Sequence, residues 1–233
     1  ERFGVYGYHA SDIANPHAEL LAGQNVLLVH AESIQTMFLN QEIAGQEITP
    51  NLNRIAGQSF FFDNFYSQHS SGTSSDSEFT LNTSLFPIND GTVFVSHFRH
   101  TFQTLPRKLK QRGYTAISLH GNNASFWNRE TMNKTLGYDR FYAKRDFEID
   151  EVIGMGLSDM SFFRQSIDVL EQTPQPFYAT AIMLTNHTPF AEVDKYGPFD
   201  SGVHEGTRFG NYLKSLHYAD KAIGYLIDEL EGR

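Results

Sequence analysis

The sequence predicts an α/β fold with a mainly parallel central sheet and helices on both faces of the sheet. The first reason is that short apolar runs alternate with longer amphipathic segments and lie much farther apart than hairpin strands. The second is that several runs are continuously apolar, which is typical of strands buried on both faces of a parallel sheet. Because no linker or repeat divides the chain, we expect one domain over residues 25–233, preceded by an irregular lead-in at 1–24.

Four strands are expected, and their bounds in chain order are 25–30, 59–66, 114–120 and 177–184. The first (NVLLVH) and the last (FYATAIML) are apolar over nearly their whole length. The second (SFFFDNFY) is aromatic, and the third (YTAISLH) mixes aromatic, β-branched and small residues. Aromatic and β-branched side chains favour strands because they fit a pleated, half-buried surface.

Five helices are expected between and after these strands. The first begins at Pro50 with Thr49 as its N-cap, since proline tolerates the first helical position and threonine is a good cap. The others are expected at 76–85, 102–113, 157–172 and 212–230. The helix at 102–113 ends at Gly113, because glycine readily adopts the left-handed conformation of a C-terminal cap.

The composition excludes several classes of protein. Hydrophobic residues make up 40% of the 233 residues and charged residues 19%, which is typical of a folded domain. The formal net charge is −9 and Lys and Arg form no cluster, so we expect no nucleic acid partner. The absence of cysteine excludes disulfides, thiolate zinc sites and thiol catalysis. No apolar stretch reaches the roughly 18 residues that a membrane-spanning helix requires.

Polar side chains follow each expected strand, at the sheet edge where α/β proteins bind ligands. They are Glu32 after the first strand, Thr73 and Ser74 in the polar loop after the second, His120 at the end of the third and His187 after the fourth. A hydroxyl becomes a good nucleophile only when a base or a metal lowers its pKa. The coincidence of such groups at one edge favours an enzyme.

Several of these residues also have a purely structural interpretation. Glu32 could stabilise a helix N-terminus, and the Ser/Thr-rich loop could simply cap the next helix. His187 could lie in a turn, and Trp127, the single tryptophan, could pack in the interior.

Phosphoryl or sulfuryl transfer also requires positive donors for the oxygens of the transferred group. Arg129, His120 and His187 are of the right type, although Arg129 could instead form a surface ion pair with Glu130 or Asp139. The sequence lacks a Gly-x-Ser-x-Gly motif and a Walker loop, which argues against a serine hydrolase and a nucleotide hydrolase.

Five blocks of sequence resemble the extracellular catalytic domain of the lipoteichoic acid synthase family, within the alkaline phosphatase/sulfatase superfamily. The blocks are 30–33 (HAES), 75–79 (SDSEF), 126–129 (FWNR), 137–142 (GYDRFY) and 184–190 (LTNHTPF). The resemblance implies an alkaline phosphatase/sulfatase-like fold. It also implies a phosphoglycerol transferase that moves glycerol phosphate from phosphatidylglycerol to a glycolipid or to a growing lipoteichoic acid chain, through a covalent Ser/Thr intermediate.

The same resemblance assigns roles to the residues at one metal site. Glu32 corresponds to a ligand of a single divalent metal, Mn²⁺ or Mg²⁺, and Ser74 to the nucleophile, which also binds the metal. The family usually has threonine at the position of Ser74, so Thr73 is the alternative nucleophile. The side chains expected around the glycerol phosphate group are His120, Trp127, Arg129 and His187.

Two departures from the family pattern lead to further expectations. The family completes its metal site with an adjacent Asp-His pair on a strand after the last helix, and this sequence contains no Asp-His dipeptide. We therefore expect a C-terminally incomplete domain that binds metal weakly by itself. The membrane helices of the family would precede residue 1, which implies attachment at the extracellular face of a bacterial membrane, or release from it.

Other functions on the same fold stay open. One is a phosphodiesterase or phosphoethanolamine transferase, and another is a non-catalytic binding domain without a complete metal site. A sulfatase is disfavoured, because the sequence lacks the Cys/Ser-x-Pro-x-Arg context from which formylglycine is made.

Overall fold

A computed structural model of the chain describes His17 and residues 19–233. Within these residues the strands are β1 (Val26–His30), β2 (Glu42–Ile43), β3 (Gln46–Glu47), β4 (Thr115–His120), β5 (Arg140–Tyr142), β6 (Val152–Ile153), β7 (Gly156–Leu157) and β8 (Phe177–Ile182). The α-helices are α1 (Pro50–Gln58), α2 (Ser74–Thr83), α3 (Val93–Ser96), α4 (Leu105–Lys110), α5 (Arg129–Leu136), α6 (Asp159–Glu171) and α7 (Arg208–Glu231).

The central sheet has four strands in the order β1-β8-β4-β5, and all of its pairs are parallel. His30 at the end of β1 and His120 at the end of β4 both lie beside Ile182 at the end of β8. The carboxyl ends of these three strands therefore meet at one edge, as the sequence predicts. The pairs β2-β3 and β6-β7 form separate antiparallel ribbons.

Helices cover both faces of the sheet, which confirms the predicted α/β class. Ile117 and Leu119 of β4 pack in one hydrophobic cluster with residues of α6 and α7, such as Phe162 and Leu226. Ala116, which directly precedes Ile117 in β4, packs in a second cluster with residues of α2, α3 and α5. Adjacent strand residues point to opposite faces, so a strand such as β4, which is buried on both faces, contributes to both clusters.

Three of the four predicted strands are confirmed, and one is wrong. Residues 59–66 form no strand, and the side chain of Phe60 is 71% exposed. The composition suits a strand, but a strand also requires a neighbour for its N–H and C=O groups. Among the described residues, 59–66 pairs with no other segment. The fourth strand of the sheet is β5, which is only three residues long and begins with Arg140, so its apolar signal is weak.

The predicted helices are confirmed with shifted ends. Helix α1 begins at Pro50, as expected, although the Thr49 hydroxyl bonds to Phe38 O and to Asn53 rather than capping the helix. Helix α2 begins at Ser74, two residues earlier than predicted, and α4 is shorter than the predicted 102–113. Helix α5 and the single-turn helix α3 were not predicted from the sequence. In the part of the chain that the structure describes, no helix is both long and apolar enough to cross a bilayer.

Candidate active site

The carboxyl edge of the sheet brings Glu32 and Ser74 together. Glu32 follows β1, and Ser74 is the first residue of α2. The Ser74 hydroxyl donates a hydrogen bond of 2.7 Å to Oε2 of Glu32, and both residues are half-buried. Ser33 donates a longer bond of 3.2 Å to the other carboxylate oxygen. The structure thus places the predicted nucleophile against the predicted metal-binding carboxylate.

The loop before α2 is shaped by Asp76. Its Oδ2 accepts hydrogen bonds from the backbone N–H groups of Ser70 and Gly72, each at 2.9 Å. A Cβ atom at Gly72 would lie 2.3 Å from Oδ1 of Asp76, so only glycine fits at this position. The tight turn delivers Ser74 to the positive end of the α2 dipole, where a negatively charged group is stabilised. Thr73 is exposed and has a φ of 45°, in the left-handed region.

Arg129, Glu78 and His120 form a second polar cluster near the same edge. Arg129 is 1% exposed, and its Nε and Nη2 donate to Oε1 of Glu78 at 2.9 and 2.7 Å. Its Nη1 lies 3.2 Å from Nε2 of His120, and Nδ1 of His120 lies 3.0 Å from the carbonyl oxygen of Ile182. Because an arginine only donates and a carbonyl only accepts, His120 carries its proton on Nδ1 and is neutral. Burial, supported by the charge of Arg129, holds the pKa of His120 well below its usual value.

Arg129 is therefore paired in the interior and does not form the surface ion pair that was its alternative interpretation. Glu130 pairs instead with Arg145 at 2.7 Å, and Asp139 pairs with Lys110. Arg129 and His120 therefore lie together, as expected, but they bond to each other and to Glu78.

Trp127 and His187 lie in the connections that follow β4 and β8. Trp127 is half-buried, has a φ of 53°, and packs edge-on against Phe126 with ring centroids 6.1 Å apart. Nδ1 of His187 lies 2.7 Å from Thr188 O. Among the described residues, no hydrogen bond joins Trp127 or His187 to Glu32 or Ser74. The substrate-binding roles of these residues stay predictions.

Sequence reasoning missed several polar groups that support this edge. Asn186 is buried, and its Nδ2 donates to the main-chain oxygen of Glu32 at 3.2 Å. Oδ1 of Asn186 and Nδ1 of His30 are buried without a hydrogen-bond partner among the described residues. The Asp159 carboxyl is also buried. Its pKa is raised to about 6, chiefly because of this burial and further because of the charge of Glu32. Asn186 belongs to the block at 184–190 and Glu78 to the block at 75–79, so the blocks themselves were the available signal.

Glu32 and Ser74 fit part of the ligand set of a hard divalent cation. Carboxylate and hydroxyl oxygens are the donors that Mg²⁺ and Mn²⁺ prefer, and such ions usually take about six ligands. Within residues 19–233 and His17, no group of three or more His, Cys, Asp or Glu side chains is arranged to hold a metal. These residues therefore supply two candidate ligands rather than a complete site.

Comparisons with known proteins relate this chain to one family. A family model described as Sulfatase matches residues 24–233. Lipoteichoic acid synthase 2 of Bacillus subtilis is 38% identical over 213 residues, covering 90% of this chain and 33% of the relative. Lipoteichoic acid synthase of Staphylococcus aureus is 34% identical over 214 residues, covering 89% of this chain and 33% of the relative. The chain spans about a third of the length of these relatives.

Solved structures show the same relationship. The lipoteichoic acid synthase LtaP from Listeria monocytogenes superimposes with a TM-score of 0.88 at 31% identity, over 91% of this chain and 53% of that one. The Streptococcus pyogenes phosphoglycerol transferase GacH, solved in complex with sn-glycerol-1-phosphate, gives 0.65 at 19% identity, over 90% and 58% of the two chains. The second likeness, at this low identity, shows the fold alone. The family model covers nearly all of the described residues, and the chain therefore belongs to the Sulfatase family, with the alkaline phosphatase/sulfatase-like fold.

Proposed function

We propose that this chain is part of a metal-dependent phosphoglycerol transferase that takes glycerol phosphate from phosphatidylglycerol. The acceptor is a glycolipid or a growing lipoteichoic acid chain. The observation that carries the proposal is the 2.7 Å hydrogen bond from Ser74 to Glu32 at the N-terminus of α2. Relatives named lipoteichoic acid synthase, at 34% to 38% identity, support this reaction class.

Ser74 is the proposed nucleophile. Its oxygen attacks the phosphorus of the lipid, diacylglycerol leaves with the proton of the hydroxyl, and a glycerophosphoryl-serine ester remains. The hydroxyl of the acceptor then attacks the same phosphorus, and its proton returns to Ser74. Glu32 orients the Ser74 hydroxyl through their hydrogen bond. A bound Mn²⁺ or Mg²⁺ would lower the pKa of the hydroxyl and offset charge on the phosphate.

The complete metal site requires ligands beyond Glu32 and Ser74. We propose that residues 25–233 are the N-terminal portion of the catalytic domain and that the remaining ligands come from the rest of the polypeptide. The structural comparison supports this, because the superposition covers 91% of this chain but only 53% of the LtaP chain.

The anionic headgroup is proposed to bind beside the cluster of Arg129 and His120, with Trp127 and His187 at its entrance. Three of the five N–H donors of Arg129 are used by Glu78 and His120, so two donors are left for phosphate oxygens. Phosphatidylglycerol is a membrane lipid, so the enzyme is proposed to act at the extracellular face of a bacterial membrane, or after release from it.

A non-catalytic binding domain is the second candidate. The observation that favours it is the incomplete ligand set of the described residues. Turnover separates the two functions, because a binding domain would hold the headgroup without releasing diacylglycerol.

The decisive experiment is turnover of fluorescent phosphatidylglycerol by the full-length protein in the presence of Mn²⁺. We expect Ser74→Ala to abolish the release of fluorescent diacylglycerol and Thr73→Ala to retain a substantial fraction of it. Loss of diacylglycerol release in Thr73→Ala but not in Ser74→Ala would identify Thr73 as the nucleophile. Absence of turnover by the unsubstituted protein, with binding intact, would favour the binding domain.

A further inference from the structure

We infer that Asp159 is a positioning residue of the candidate active site, which fixes residues 184–187 against Glu32. This segment carries Asn186 and the proposed headgroup ligand His187. The inference rests on the proposed function for its effect on turnover. Its structural part stands on the hydrogen bonds alone.

Asp159 and Thr185 hold each other by reciprocal hydrogen bonds. Oδ1 of Asp159 accepts from the backbone N–H of Leu184 at 2.8 Å, and Oδ2 accepts from that of Thr185 at 3.1 Å. In return the Thr185 hydroxyl accepts from the backbone N–H of Asp159 at 2.8 Å. Asp159 is the first residue of α6, and its side chain is 1% exposed. These bonds tie the chain leaving β8 to the start of α6.

The tie continues from Thr185 to Glu32. Asn186 is fully buried, and its Nδ2 donates to the main-chain oxygen of Glu32 at 3.2 Å. Ser215 of α7 adds a longer bond of 3.4 Å to the main-chain oxygen of Thr185. Asp159 is therefore linked, through one short stretch of backbone and the Asn186 amide, to the backbone of Glu32, the residue whose carboxylate accepts from Ser74.

The contacts require a carboxylate at position 159. Two backbone N–H groups meet two separate oxygens of Asp159, and an asparagine would replace one of these acceptors with an N–H₂ donor. A helix N-terminus by itself would be served equally well by Ser, Thr or Asn. The buried carboxyl is unfavourable in its charged form, and burial raises its pKa to about 6. The buried carboxylate of Asp159 is therefore explained by the N–H groups of Leu184 and Thr185, from which it accepts, rather than by a requirement of the α6 N-terminus.

The test compares Asp159→Asn with Ser158→Ala in the full-length protein. Ser158 is a matched control because it caps the same helix, accepting from the N–H of Ser161 at 3.2 Å, and its hydroxyl donates to Glu151 but does not bond to 184–187. We expect Asp159→Asn to lower kcat for phosphatidylglycerol by roughly 10- to 100-fold, with KM nearly unchanged, because misplacement of about 1 Å at a site costs on this order. We expect Ser158→Ala to stay within about threefold of the unsubstituted protein.

Amide hydrogen exchange supplies a readout that is independent of turnover. Asp159→Asn should speed exchange in peptides covering 184–187 and 31–33, whereas Ser158→Ala should speed it at the start of α6 and around Glu151 but not in those peptides. Equal loss of kcat in both variants, or unchanged exchange at 184–187 and 31–33 in Asp159→Asn, would overturn the inference. If the unsubstituted protein fails to turn over phosphatidylglycerol, the proposed function fails, and the exchange pattern alone decides the role of Asp159.

Discussion

Two polar clusters lie near the carboxyl edge of the sheet and differ in how completely their groups are paired. The closed cluster consists of Glu78, Arg129 and His120, is buried, and bonds mainly within itself. The open cluster consists of Glu32 and Ser74 and is half-buried. Buried charges are tolerated when they are paired, whereas reactive groups must stay accessible. The closed cluster therefore stabilises the fold beside the site and offers the proposed headgroup only the two remaining N–H donors of Arg129, whereas the open cluster is where bond making is expected.

The largest expected effect comes from breaking the closed cluster. Arg129→Met leaves the carboxylate of Glu78 buried without its partner, so we expect the free energy of unfolding to fall by about 3–5 kcal/mol. The matched control is Arg145→Met, which breaks the exposed pair with Glu130. An exposed pair contributes less than about 1 kcal/mol. Urea denaturation of both variants measures the difference, and equal losses would remove the distinction between the clusters.

The pH dependence of stability tests the polar groups beneath the open cluster. The pKa of Asp159 is raised to about 6 in the folded state, chiefly by burial and further by Glu32. The folded state therefore binds the proton of the Asp159 carboxyl more tightly than the unfolded state does. The stability gained from this protonation is complete below about pH 4 and is lost as the pH rises through about 6. A shift of about two pKa units corresponds to roughly 3 kcal/mol.

The comparison with Asp159→Asn isolates this contribution from other carboxyl groups. We expect the unsubstituted protein to lose stability relative to Asp159→Asn as the pH rises from 4 to 7, as measured by urea denaturation. A difference that is independent of pH would show that Asp159 titrates normally.

Removing the open cluster's hydroxyl should change function far more than stability. Ser74→Ala loses one hydrogen bond at a half-buried position, so we expect a loss of at most about 1.5 kcal/mol, together with the loss of turnover. Ser33→Ala is the matched control, because Ser33 also donates to Glu32 but is exposed. It should retain most of the turnover. If both variants were inactive, orientation of Glu32 rather than a specific nucleophile would explain the loss.

The smallest expected change in stability is that of Glu32→Gln. The amide oxygen can still accept from Ser74, so the unfolding free energy without metal should change by less than about 1 kcal/mol. An amide is a much poorer ligand for a hard cation, so the rise in Tm that Mn²⁺ produces should disappear. Thermal denaturation of the full-length protein with and without Mn²⁺ checks this. An unchanged Mn²⁺-dependent rise would exclude Glu32 as a ligand.

The difference between the clusters also explains what could be predicted from the sequence. Strands β1 and β8 are apolar over nearly their whole length, β4 mixes apolar and small polar residues, and the carboxyl ends of all three meet at one edge of the sheet. Glu32 could therefore be singled out from its place after a strand, whereas the choice of Ser74 over Thr73 came from the family resemblance and stays a prediction. Strand β5 was missed because three residues give no periodicity, and 59–66 was overpredicted because composition does not supply a partner strand.

A residue whose role is to form hydrogen bonds with groups far away in the sequence leaves no recognisable pattern in its own sequence neighbourhood. Glu78 lies 51 positions from Arg129, and Asp159 lies 25 positions from Leu184. In the sequence, Glu78 is one more polar residue of a helix, and Asp159 is a favourable residue in a first helical turn. Their roles follow only from the packing that brings each carboxylate to its donors.

The proposed transfer reaction requires the Ser74 oxygen to form the covalent bond to the transferred group. The most direct measurement is mass spectrometry of peptides from the full-length protein, quenched with acid during turnover of phosphatidylglycerol without an acceptor. We predict a glycerophosphate adduct on Ser74 that is absent from Ser74→Ala. An adduct on Thr73, or turnover with no adduct on either residue, would contradict the assignment of Ser74 as the nucleophile.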